Sequence, residues 1–390
     1  MNNTVPVGWK KGAFSDVVKL DYGKSPKDIF HENGKYPVIG TGGVTGFTNS
    51  YLHEGGTTVI GRKGTINNPS FISTKFWAID TTYYVSEHKN ADAKWFYYLI
   101  QNIDLTKFNE ASGVPSLNRD TLYAIPCVSP SRPEQQKIAT ILTAVDDVIE
   151  STQAQINKLK ALKTGMMQEL LTKGIGHTEF KDSPVGRIPT TWKFGALSSI
   201  CDLQVGYAFK SDWFLDEGIR LLRGDNVGFG APTWERIKCL SEETAKNYPS
   251  YLLNENDIVI GMDRTFTKSG VKITKLSSLD IPCLLVQRVG KFTPVQCSSA
   301  FLWQLVRSNQ FLDGLKSKEK GMDIPHLSKA EILEPLVAVP CLAEQNKIGE
   351  ILSSMDDRID AKTCKFGSLS LVKKALMQDL LTGKVRVQVN

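Results

Sequence analysis

Two long stretches of the chain carry apolar side chains at the spacing of a helix that packs along one face. Counting by sevens from Ile138 gives apolar residues as far as Met166, with one polar position in the middle, and the same pattern runs from Ile348 to Leu376. The positions three residues further along are predicted to complete the apolar seam. The pattern indicates two helices of about 40 residues, each roughly 60 Å long at 1.5 Å per residue.

These two stretches are copies of one another. Residues 133–172 and 343–382 align without a gap, and 16 of the 40 positions are identical. A second pair of matching blocks stands earlier, at 5–23 and 188–206. The inserts that follow these earlier blocks look unrelated in sequence. The chain is therefore predicted to be an internal duplication in which one frame carries two different inserts.

Neither helix could hold such an apolar seam in water alone. The two copies are therefore expected to pack against each other, antiparallel, about a pseudo-twofold axis. Residues 131–134 (Ser-Arg-Pro-Glu) have the pattern of a capping box with proline in the first turn, whereas Cys341 replaces the serine in the second copy. An ordinary long core helix is the alternative that the pattern leaves open.

The inserts carry the shorter periods of strands and short helices. Strand-like runs are followed by glycine-rich turns, and two stretches have helical spacing. The strand-like runs are 36–40, 57–61, 76–84 and 257–261, and the helical stretches are 93–103 and 300–315. The predicted fold class is α+β, with two globular domains joined by two long antiparallel helices in a pseudo-twofold repeat. The predicted order is a first globular domain at 1–130, a first long helix at 131–174, a second globular domain at 175–340, and a second long helix with a tail at 341–390.

Composition excludes several classes of protein. The net charge is +6 and no segment is a basic tail, so any contact with nucleic acid must come from charges placed on a folded surface. Seven cysteines with no C-x-x-C pair argue against a disulfide framework and a zinc site, and favour the cytoplasm. No apolar run reaches the roughly 20 residues of a membrane-spanning helix.

Catalytic signatures are weak throughout. The glycine-rich run 40–46 lacks the spacing of a dinucleotide-binding loop, and Val18 stands where a phosphate-binding loop ending at Lys24 would need glycine. Asp80, Asp92 and Lys94 could be arranged as a nuclease-like carboxylate and lysine cluster, but such short strings are common. The five histidines show no metal-binding spacing. We therefore expect no catalytic residue, bound cofactor or metal in this chain.

Polar turns in the inserts are better suited to DNA, because DNA binding needs cations for phosphates and planar donors for base edges. Glycines in such turns let backbone N–H groups approach phosphate closely. The candidates in the first insert are Lys24, Gly43, Thr45, Asn49, Arg62, Lys63, Gly64, Thr65 and Asn67. Those in the second insert are Lys210, Arg223, Asn226, Arg264, Thr265 and Lys268. A solvated loop is the alternative for each position.

Nearly the whole chain resembles the specificity subunits of type I restriction–modification systems. Three features repeat in both halves: a Pro-x-x-Trp block, a Glu-Gln-x-Lys-Ile helix start and a Leu-Leu-Thr helix end. They stand at 6–9 and 189–192, at 134–138 and 344–348, and at 170–172 and 380–382. The run 61–65 (Gly-Arg-Lys-Gly-Thr), together with Phe76, Trp77, Asp80 and Thr81, is similar to the family's target-recognition domains.

This resemblance implies a non-catalytic subunit that reads a bipartite, asymmetric sequence in double-stranded DNA. It implies that one domain reads each half and that the helices set the length of the unread spacer. It also implies docking of two modification (methyltransferase) subunits and of ATP-dependent restriction subunits. S-adenosylmethionine, ATP and Mg²⁺ would be bound by those partners. Polar residues identical in both helices are the candidates for the partner interface: Gln135, Asp147, Gln168, Gln345, Asp357 and Gln378.

Two other functions stay open at this point. One is a self-contained DNA nuclease or methyltransferase that uses Asp80, Asp92 and Lys94. The other is a coiled-coil scaffold whose inserts bind partners other than DNA. DNA cleavage, methyl transfer and footprinting assays distinguish the three hypotheses.

Overall fold

The chain folds as two compact units. Unit 1 contains Met1–Gln155 and Lys362–Asn390, and unit 2 contains Ile156–Ala361. Two long helices, Arg132–Thr172 and Leu342–Leu381, each contribute one half to each unit. The computed structural model describes residues 5–27, 29–267, 270–317 and 326–389.

The globular part of unit 1, here called domain 1, combines short strands with three short α-helices and one 3-10 helix, Leu105–Phe108, among the described residues. Its elements are β1 Lys10–Ala13, α1 Phe14–Val17, β2 Val18–Tyr22, β3 Tyr36–Gly40, β4 Gly43–Thr48, β5 Thr57–Gly61, β6 Ser70–Ile72, β7 Trp77–Ala78, β8 Thr82–His88, α2 Ala93–Gln101, α3 Arg119–Tyr123 and β9 Pro126–Ser129, followed by the long helix α4 Arg132–Thr172.

Domain 1 is organised around two sheets. The order β2-β8-β5-β6 forms an antiparallel sheet, and β4-β3-β7 forms a second sheet in which β3 and β7 run parallel. Phe14, Trp95 and Phe96 are fully buried in the core, and Ile138 of α4 and Leu380 from the other long helix close the same cluster.

The globular part of unit 2, domain 2, is larger. Its elements are β10 Phe180–Lys181, β11 Ile188–Pro189, β12 Lys193–Ala196, β13 Cys201–Val205, β14 Ile219–Leu222, β15 Cys239–Leu240, α5 Glu242–Ala245, β16 Leu252–Leu253, β17 Ile258–Gly261, β18 Phe266–Thr267, β19 Gly270–Val271, β20 Ile273–Lys275, β21 Cys283–Leu285, β22 Val289–Pro294, α6 Ser299–Leu305, α7 Asn309–Lys316, α8 Lys329–Leu333 and β23 Leu336–Val339, followed by the long helix α9 Leu342–Leu381.

The two inserts share a topology that their sequences do not reveal. Domain 2 has an antiparallel sheet of order β13-β22-β17-β20 and a second sheet of order β15-β14-β21-β16, in which β14 and β21 run parallel. These sheets match those of domain 1 strand for strand, apart from the added edge strand β16. A sheet needs a pattern of burial and turn chemistry more than particular residues, so the topology survives where sequence identity is lost.

The long helices pack antiparallel, as predicted. In unit 1 the first half of α4 shares an apolar cluster with the last turns of α9, through Leu142 and Met377. In unit 2 the end of α4 shares a cluster with the start of α9, through Leu171 and Ile348. The fold class predicted from the sequence is confirmed, including the internal repeat.

The seam of α4 differs from the prediction in one of its two rows. The first row, Ile138 and every seventh residue after it, lies in the seam as predicted. The second row was predicted to start three residues after Ile138, at Ile141, but the buried row starts four residues after it, at Leu142. Ile156 and Lys163 of that row are buried, whereas Val148 and Leu162 of the predicted row are 44% and 51% exposed. Apolar residues stand at both spacings, so the sequence alone does not discriminate between them. The observed steps alternate between four and three, which keeps the 3.5-residue average of a coiled coil.

Both long helices have a hydrogen-bonded glutamate in their first turn. Glu134 accepts hydrogen bonds from Trp9 Nε1 at 3.2 Å and from Arg386 Nε at 2.7 Å. In unit 2, Glu344 accepts from Trp192 Nε1 at 2.8 Å. In each half of the chain, the tryptophan of the Pro-x-x-Trp block is hydrogen-bonded to the glutamate in the first turn of the long helix. This contact explains why the block and the helix start are both repeated. Glu134 is committed to these contacts, in place of the predicted capping box.

Gln135 and Gln345 are not surface residues, contrary to the expectation that they face a partner. Each is 2% exposed and donates to the proline carbonyl five residues earlier, at 3.0 Å. The Oε1 atom of Gln135 accepts from Asp92 N at 2.6 Å, and that of Gln345 accepts from Ser298 N at 2.9 Å. These amides join each long helix to the first turn of a domain helix.

Other sequence predictions hold in part. The strands predicted at 36–40 and 57–61 are β3 and β5. The run 76–84 is split by a turn between β7 and β8. The stretch 300–315 is two helices, because the Ser308 hydroxyl accepts from Phe311 N and starts α7 anew.

Candidate nucleic-acid interface

Several loops of domain 1 meet at one edge. Because β3 and β7 run parallel, their carboxyl ends lie side by side, and Ile79 N donates to Ile39 O at 3.1 Å. The loop after β5 joins them, since Arg62 N donates to Thr81 O at 2.8 Å. The predicted turns that contain Lys24, Gly43 and Arg62 therefore converge in space at this edge, here called edge 1.

Lys24 reaches edge 1 because of the glycine before it. A Cβ on Gly23 would lie 2.0 Å from the carbonyl oxygen of Ile79, so only glycine lets the chain pass there. Lys24 N donates to Ala78 O at 2.9 Å, and Trp77 Nε1 donates to Lys24 O at 3.0 Å. The glycine is required by close packing and not by a phosphate-binding loop.

Arg62 lies in an aromatic cluster that the sequence did not predict. Its Cζ is 5.3 Å from the ring centroid of Tyr22, a ring that is 44% exposed. The Cζ of Arg119 is 4.9 Å from the same centroid and 6.0 Å from that of Tyr123. Tyr83 packs behind Tyr22 with 5.0 Å between centroids. Two guanidinium groups are thus stacked on one exposed tyrosine, which restricts their motion.

Backbone hydrogen bonds bring the two arginines together. Leu117 N donates to Arg62 O at 2.9 Å, and Gly64 N donates to Pro115 O at 2.8 Å, so the loop after β5 is joined to the segment that precedes Arg119. Gly64 has a φ of +95°, in the region that favours glycine. Asn118 caps α3 immediately before Arg119. A cation directly after this cap, next to a predicted recognition loop, is the signal that could have identified Arg119.

Edge 1 carries positive charge with no internal counter-ion. Lys24, Arg62, Lys63 and Arg119 form no ion pair within the described part of the chain. Among the residues that the structure describes, the Nη1 atom of Arg62 donates only to a carbonyl, Asp80 O, at 3.0 Å, and the buried Nε of Arg119 has no partner. Cations left without carboxylates and fixed in position can bind phosphates or base edges.

The remaining candidates of domain 1 are placed less uniformly. Gly43 lies in the β3–β4 turn with a φ of +116°, and Thr65 is exposed beside Gly64. The Thr45 hydroxyl donates to Val38 O at 3.2 Å. Two asparagine side chains accept hydrogen bonds from backbone N–H groups. Asn49 Oδ1 accepts from Lys35 N at 3.3 Å, and Asn67 Oδ1 accepts from Leu105 N at 2.7 Å.

Domain 2 presents its own cations at the equivalent edge, edge 2. Arg223 follows β14 and Arg264 follows β17. Lys272 links the two loops, because its backbone N–H donates to Thr265 O at 2.8 Å and its Nζ donates to Gly224 O at 3.3 Å. Arg264 is exposed, with a φ of +48°. Arg223 is partly neutralised by Asp225, 3.3 Å away. The same edge of the same topology therefore carries a different set of charges.

Two candidates of domain 2 are wrong. Asn226 is 1% exposed, and its side chain bonds to Arg223 N and Thr233 O, which closes the turn after β14. Thr265 is fully buried, and its hydroxyl donates to Gly261 O at 2.6 Å. Both side chains shape the loops of edge 2 from inside and cannot reach DNA. Lys268 lies outside the described residues.

An ion network holds the loop after β17. Asp263 accepts from Arg288 Nη1 at 2.7 Å and lies 2.6 Å from His326 Nδ1. Burial opposes ionisation of Asp263, but the hydrogen bonds from His326 and Arg288 outweigh it and lower its pKa. Arg288 is 64% exposed and lies in the turn after β21. The sequence did not point to Arg288, because Gln287 and Val289 flank it, whereas the predicted arginines stand beside glycine or aspartate.

Lys210 stands apart on an aromatic surface of domain 2. It is exposed, and its Nζ lies 5.6 Å from the ring centroid of Trp213. Tyr207, Phe209 and Tyr248 form a group of tilted and edge-to-face rings next to it, with centroids 4.6 to 5.1 Å apart. A cation over aromatic rings suits a nucleic acid, whose bases and phosphates match both features.

The proposed nuclease cluster is not assembled. The Asp92 carboxylate accepts from the backbone N–H groups of Lys94 and Trp95 at 3.0 and 3.1 Å, so it caps α2. Lys94 Nζ lies 4.0 Å from the ring centroid of Phe71. Among the described residues, no group of His, Cys, Asp or Glu side chains could hold a metal ion.

The cysteines are structural where they are buried. All seven are free thiols in the described chain. Burial raises the pKa of Cys127, Cys201, Cys283 and Cys297 to about 12, which keeps these thiols protonated and unreactive.

Four partner-facing candidates do lie on the surface of the long helices. Asp147 and Gln168 of α4 are exposed, as are the equivalent Asp357 and Gln378 of α9. Asp147 lines a cleft of about 570 Å³ between α4 and the start of α2. Their exposure agrees with the predicted role without assigning a partner. No helix in the described residues is long and apolar enough to cross a membrane.

The comparison with known families explains the duplicated frame. The family described as "Type I restriction modification DNA specificity domain" matches residues 6–161 and 189–365. The chain belongs to this family. Each matched segment begins at the proline of a Pro-x-x-Trp block, so the internal repeat is two copies of the specificity domain.

Relatives and solved structures agree with this membership. The type I restriction enzyme MjaVIII specificity subunit of Methanocaldococcus jannaschii is 31% identical over 401 residues, which cover 98% of this chain and 94% of the relative. The EcoAI specificity subunit of Escherichia coli is 35% identical over 179 residues, 45% of this chain and 29% of the relative.

Solved structures support the same fold. The fold is similar to the crystal structure of the S subunit of the type I restriction–modification system from M. genitalium, with a TM-score of 0.67, 17% identity, and 97% and 98% of the two chains covered. A structure from work on complex assembly in the type I system has a TM-score of 0.54 at 13% identity, with 98% and 100% covered.

Proposed function

We propose that this chain is the DNA sequence-recognition subunit of a type I restriction–modification complex and that it catalyses no reaction itself. Domain 1 reads one half of a bipartite, asymmetric target and domain 2 reads the other. The observation that carries this proposal is that two domains of one topology present different sets of cations at the same edge. One scaffold with two unlike surfaces suits two unlike half-sites.

At edge 1 the chemistry favours direct contact with DNA. Arg62 and Arg119 have guanidinium groups free of carboxylates and stacked on Tyr22, and a guanidinium can donate two parallel hydrogen bonds to guanine or to phosphate. Lys24 and Lys63 add point charges that suit the backbone. At edge 2 Arg264 and Arg288 are both exposed, and the bond between Asp263 and Arg288 joins the loop that carries Arg264 to the turn that carries Arg288.

The partners we propose are two modification subunits and the ATP-dependent restriction subunits. S-adenosylmethionine, ATP and Mg²⁺ belong to those chains, and this chain binds no cofactor. The pseudo-twofold helices give two identical partners equivalent docking positions, for which exposed Asp147, Asp357, Gln168 and Gln378 are suited. The cytoplasm is the proposed location, because free, mostly buried thiols persist in a reducing compartment.

Footprinting of the reconstituted complex tests the proposal. With the modification subunits bound, two short protected tracts are expected on target DNA, separated by an unprotected spacer. The matched control is a chain in which Arg62 and Arg119 are both alanine, which should lose one tract and keep the other. One continuous tract, or no protection at all, would contradict the assignment and favour the scaffold hypothesis.

The enzymatic alternative is tested with the chain alone. Incubation with DNA and Mg²⁺, or with labelled S-adenosylmethionine, is expected to give neither cleavage nor transfer of label. Activity that disappears in Asp80→Asn or Lys94→Met would restore the nuclease or methyltransferase hypothesis.

A further inference from the structure

The same ion pair occurs twice in the long helices, once in each unit. In unit 1, Lys373 Nζ of α9 lies 2.7 Å from Asp146 Oδ1 of α4. In unit 2, Lys163 Nζ of α4 lies 2.5 Å from Asp356 Oδ1 of α9. Asp146 and Asp356 are equivalent in the internal repeat, and so are Lys163 and Lys373. The two contacts are therefore copies of one contact in which the helices exchange roles.

The lysines lie in the apolar seam itself. The side chain of Lys163 is 8% exposed and that of Lys373 is 21% exposed. Burial lowers the pKa of Lys163, with Arg307 acting in the same direction, although Asp356 opposes both. A buried charge contributes little to stability compared with an apolar residue, but a polar residue at one seam position can specify register and orientation.

Each aspartate also binds the adjoining domain. Asp146 Oδ2 accepts from the Tyr98 hydroxyl of α2 at 2.9 Å. Asp356 Oδ2 accepts from Gln304 Nε2 of α6 at 3.0 Å. Domain 1 is thus bonded to α4 and domain 2 to α9 at the same residues that pair the helices. A change in helix register would therefore move one domain's anchor relative to the other's.

Slippage by one heptad would break both pairs. Apolar residues recur every seven positions, so apolar contacts between the two helices do not by themselves discriminate between the two registers. The charges would not: Asp146 would then face Phe366 or Leu380, and Lys163 would face Gly349 or Thr363. Each shift would separate both lysines from their aspartates, at the cost of unpaired lysine charge in the seam, whereas Asp356 also has Arg307 Nη1 3.6 Å away.

We propose that the Asp146–Lys373 and Asp356–Lys163 pairs fix the register of the long helices and thereby determine the spacer length that the DNA target must have. This inference rests on the proposed bipartite recognition. A slip of seven residues is a translation of about 10 Å at 1.5 Å per residue, or about 3 base pairs of DNA at 3.4 Å each. The pairs are positioning residues that act without touching DNA.

The test measures binding of the reconstituted complex to duplexes whose spacer varies one base pair at a time. The unaltered complex is expected to prefer one spacer by at least about tenfold, a difference of 1.4 kcal/mol. The test variant replaces both aspartates with leucine and both lysines with methionine: Asp146→Leu, Asp356→Leu, Lys163→Met and Lys373→Met. In this variant the preference for one spacer should fall to threefold or less, and the affinity for spacers about 3 base pairs longer or shorter should increase most. The base preferences within each half-site should not change.

Charge-swapped chains provide the matched control. Asp146→Lys with Lys373→Asp keeps the pair possible only in the original register and should retain the strict spacer. If the four-residue variant does not assemble, Asp146→Leu with Lys373→Met tests the proposal, since removing one of two pairs predicts an intermediate loss. Circular dichroism confirms that the helices form in each variant.

The outcomes separate this inference from the proposed function. If the unaltered complex shows no bipartite preference, the proposed function fails. If it prefers one spacer and the apolar variant keeps the same strict preference, the register proposal alone is wrong. Loss of spacer preference in the apolar variant but not in the charge-swapped chain supports it.

Discussion

At the scale of residues, exposure decides which predicted contacts survive. Arg62 and Asn226 both stand in polar turns after a strand, and the sequence predicts that both contact DNA. Arg62 projects from its loop onto Tyr22, whereas Asn226 turns inward and is 1% exposed. A short amide satisfies nearby backbone groups more readily than a long guanidinium does, so asparagines in turns are frequently structural.

Replacing Arg62 tests the residue-level assignment. Arg62→Ala is expected to weaken binding by about 1–3 kcal/mol and to relax base preference in one half-site only, if the guanidinium reads a base edge. Competition binding with each target position permuted measures this. Arg358→Ala, on the exposed surface of α9, is the control and should leave binding unchanged. Equal weakening on all sequences would make Arg62 a phosphate contact instead.

Acid should destabilise unit 1 through His88. Burial is the main cause that lowers the His88 pKa from 6.5 to about 4, with Arg132 acting in the same direction. The unfolded chain takes up a proton below pH 6.5 while the native histidine stays neutral, so native stability is full above that pH and declines towards pH 4. Urea unfolding between pH 7 and 4.5 should show a smaller decline in His88→Gln. Parallel curves for the two proteins would contradict this.

At the scale of elements, the repeated frame is predictable and its exact packing is not. The lengths of α4 and α9 and their antiparallel pairing follow from spacing and duplication. The second row of the seam does not, because α4 offers apolar residues at both possible spacings. The sequence also cannot reveal that Lys163 is buried, since only the position of Asp356 makes burial of that charge tolerable.

The buried glutamines should matter for stability. Gln345→Ala removes the bonds to Ser298 N and Pro340 O and leaves both backbone groups unsatisfied. The free energy of unfolding should fall by about 1–3 kcal/mol. Chemical denaturation measures it, and Gln136→Ala, an exposed neighbour of Gln135, is the control expected to change little. A similarly small effect of Gln345→Ala would show that water replaces the amide.

Lengthening both helices together should lengthen the target. One heptad inserted after Ala154 of α4 and another after Cys364 of α9 keeps both ion pairs in place. The preferred spacer should grow by about 3 base pairs, with the same bases read in each half. Binding to the spacer series measures the change. Altered bases, or an unchanged spacer, would show that the helices do not set spacer length.

At the scale of the whole molecule, two copies of one domain differ at the edge that we propose contacts DNA. The sheets of domains 1 and 2 have matching orders, yet their sequences look unrelated because only the pattern of burial and turns is constrained. The edges differ in kind: edge 1 has stacked arginines without carboxylates, and edge 2 has an Asp–His–Arg network. Unlike edges on a shared frame are what an asymmetric target requires.

The most direct test of this account is methylation mapping in cells that carry the complete restriction–modification system. The account predicts methylated adenines within two short, dissimilar motifs separated by a fixed number of unspecified base pairs. Exchanging the insert 24–113 for that of a relative should change one motif and leave the other intact. A single uninterrupted motif, or a change in both halves after that exchange, would contradict it.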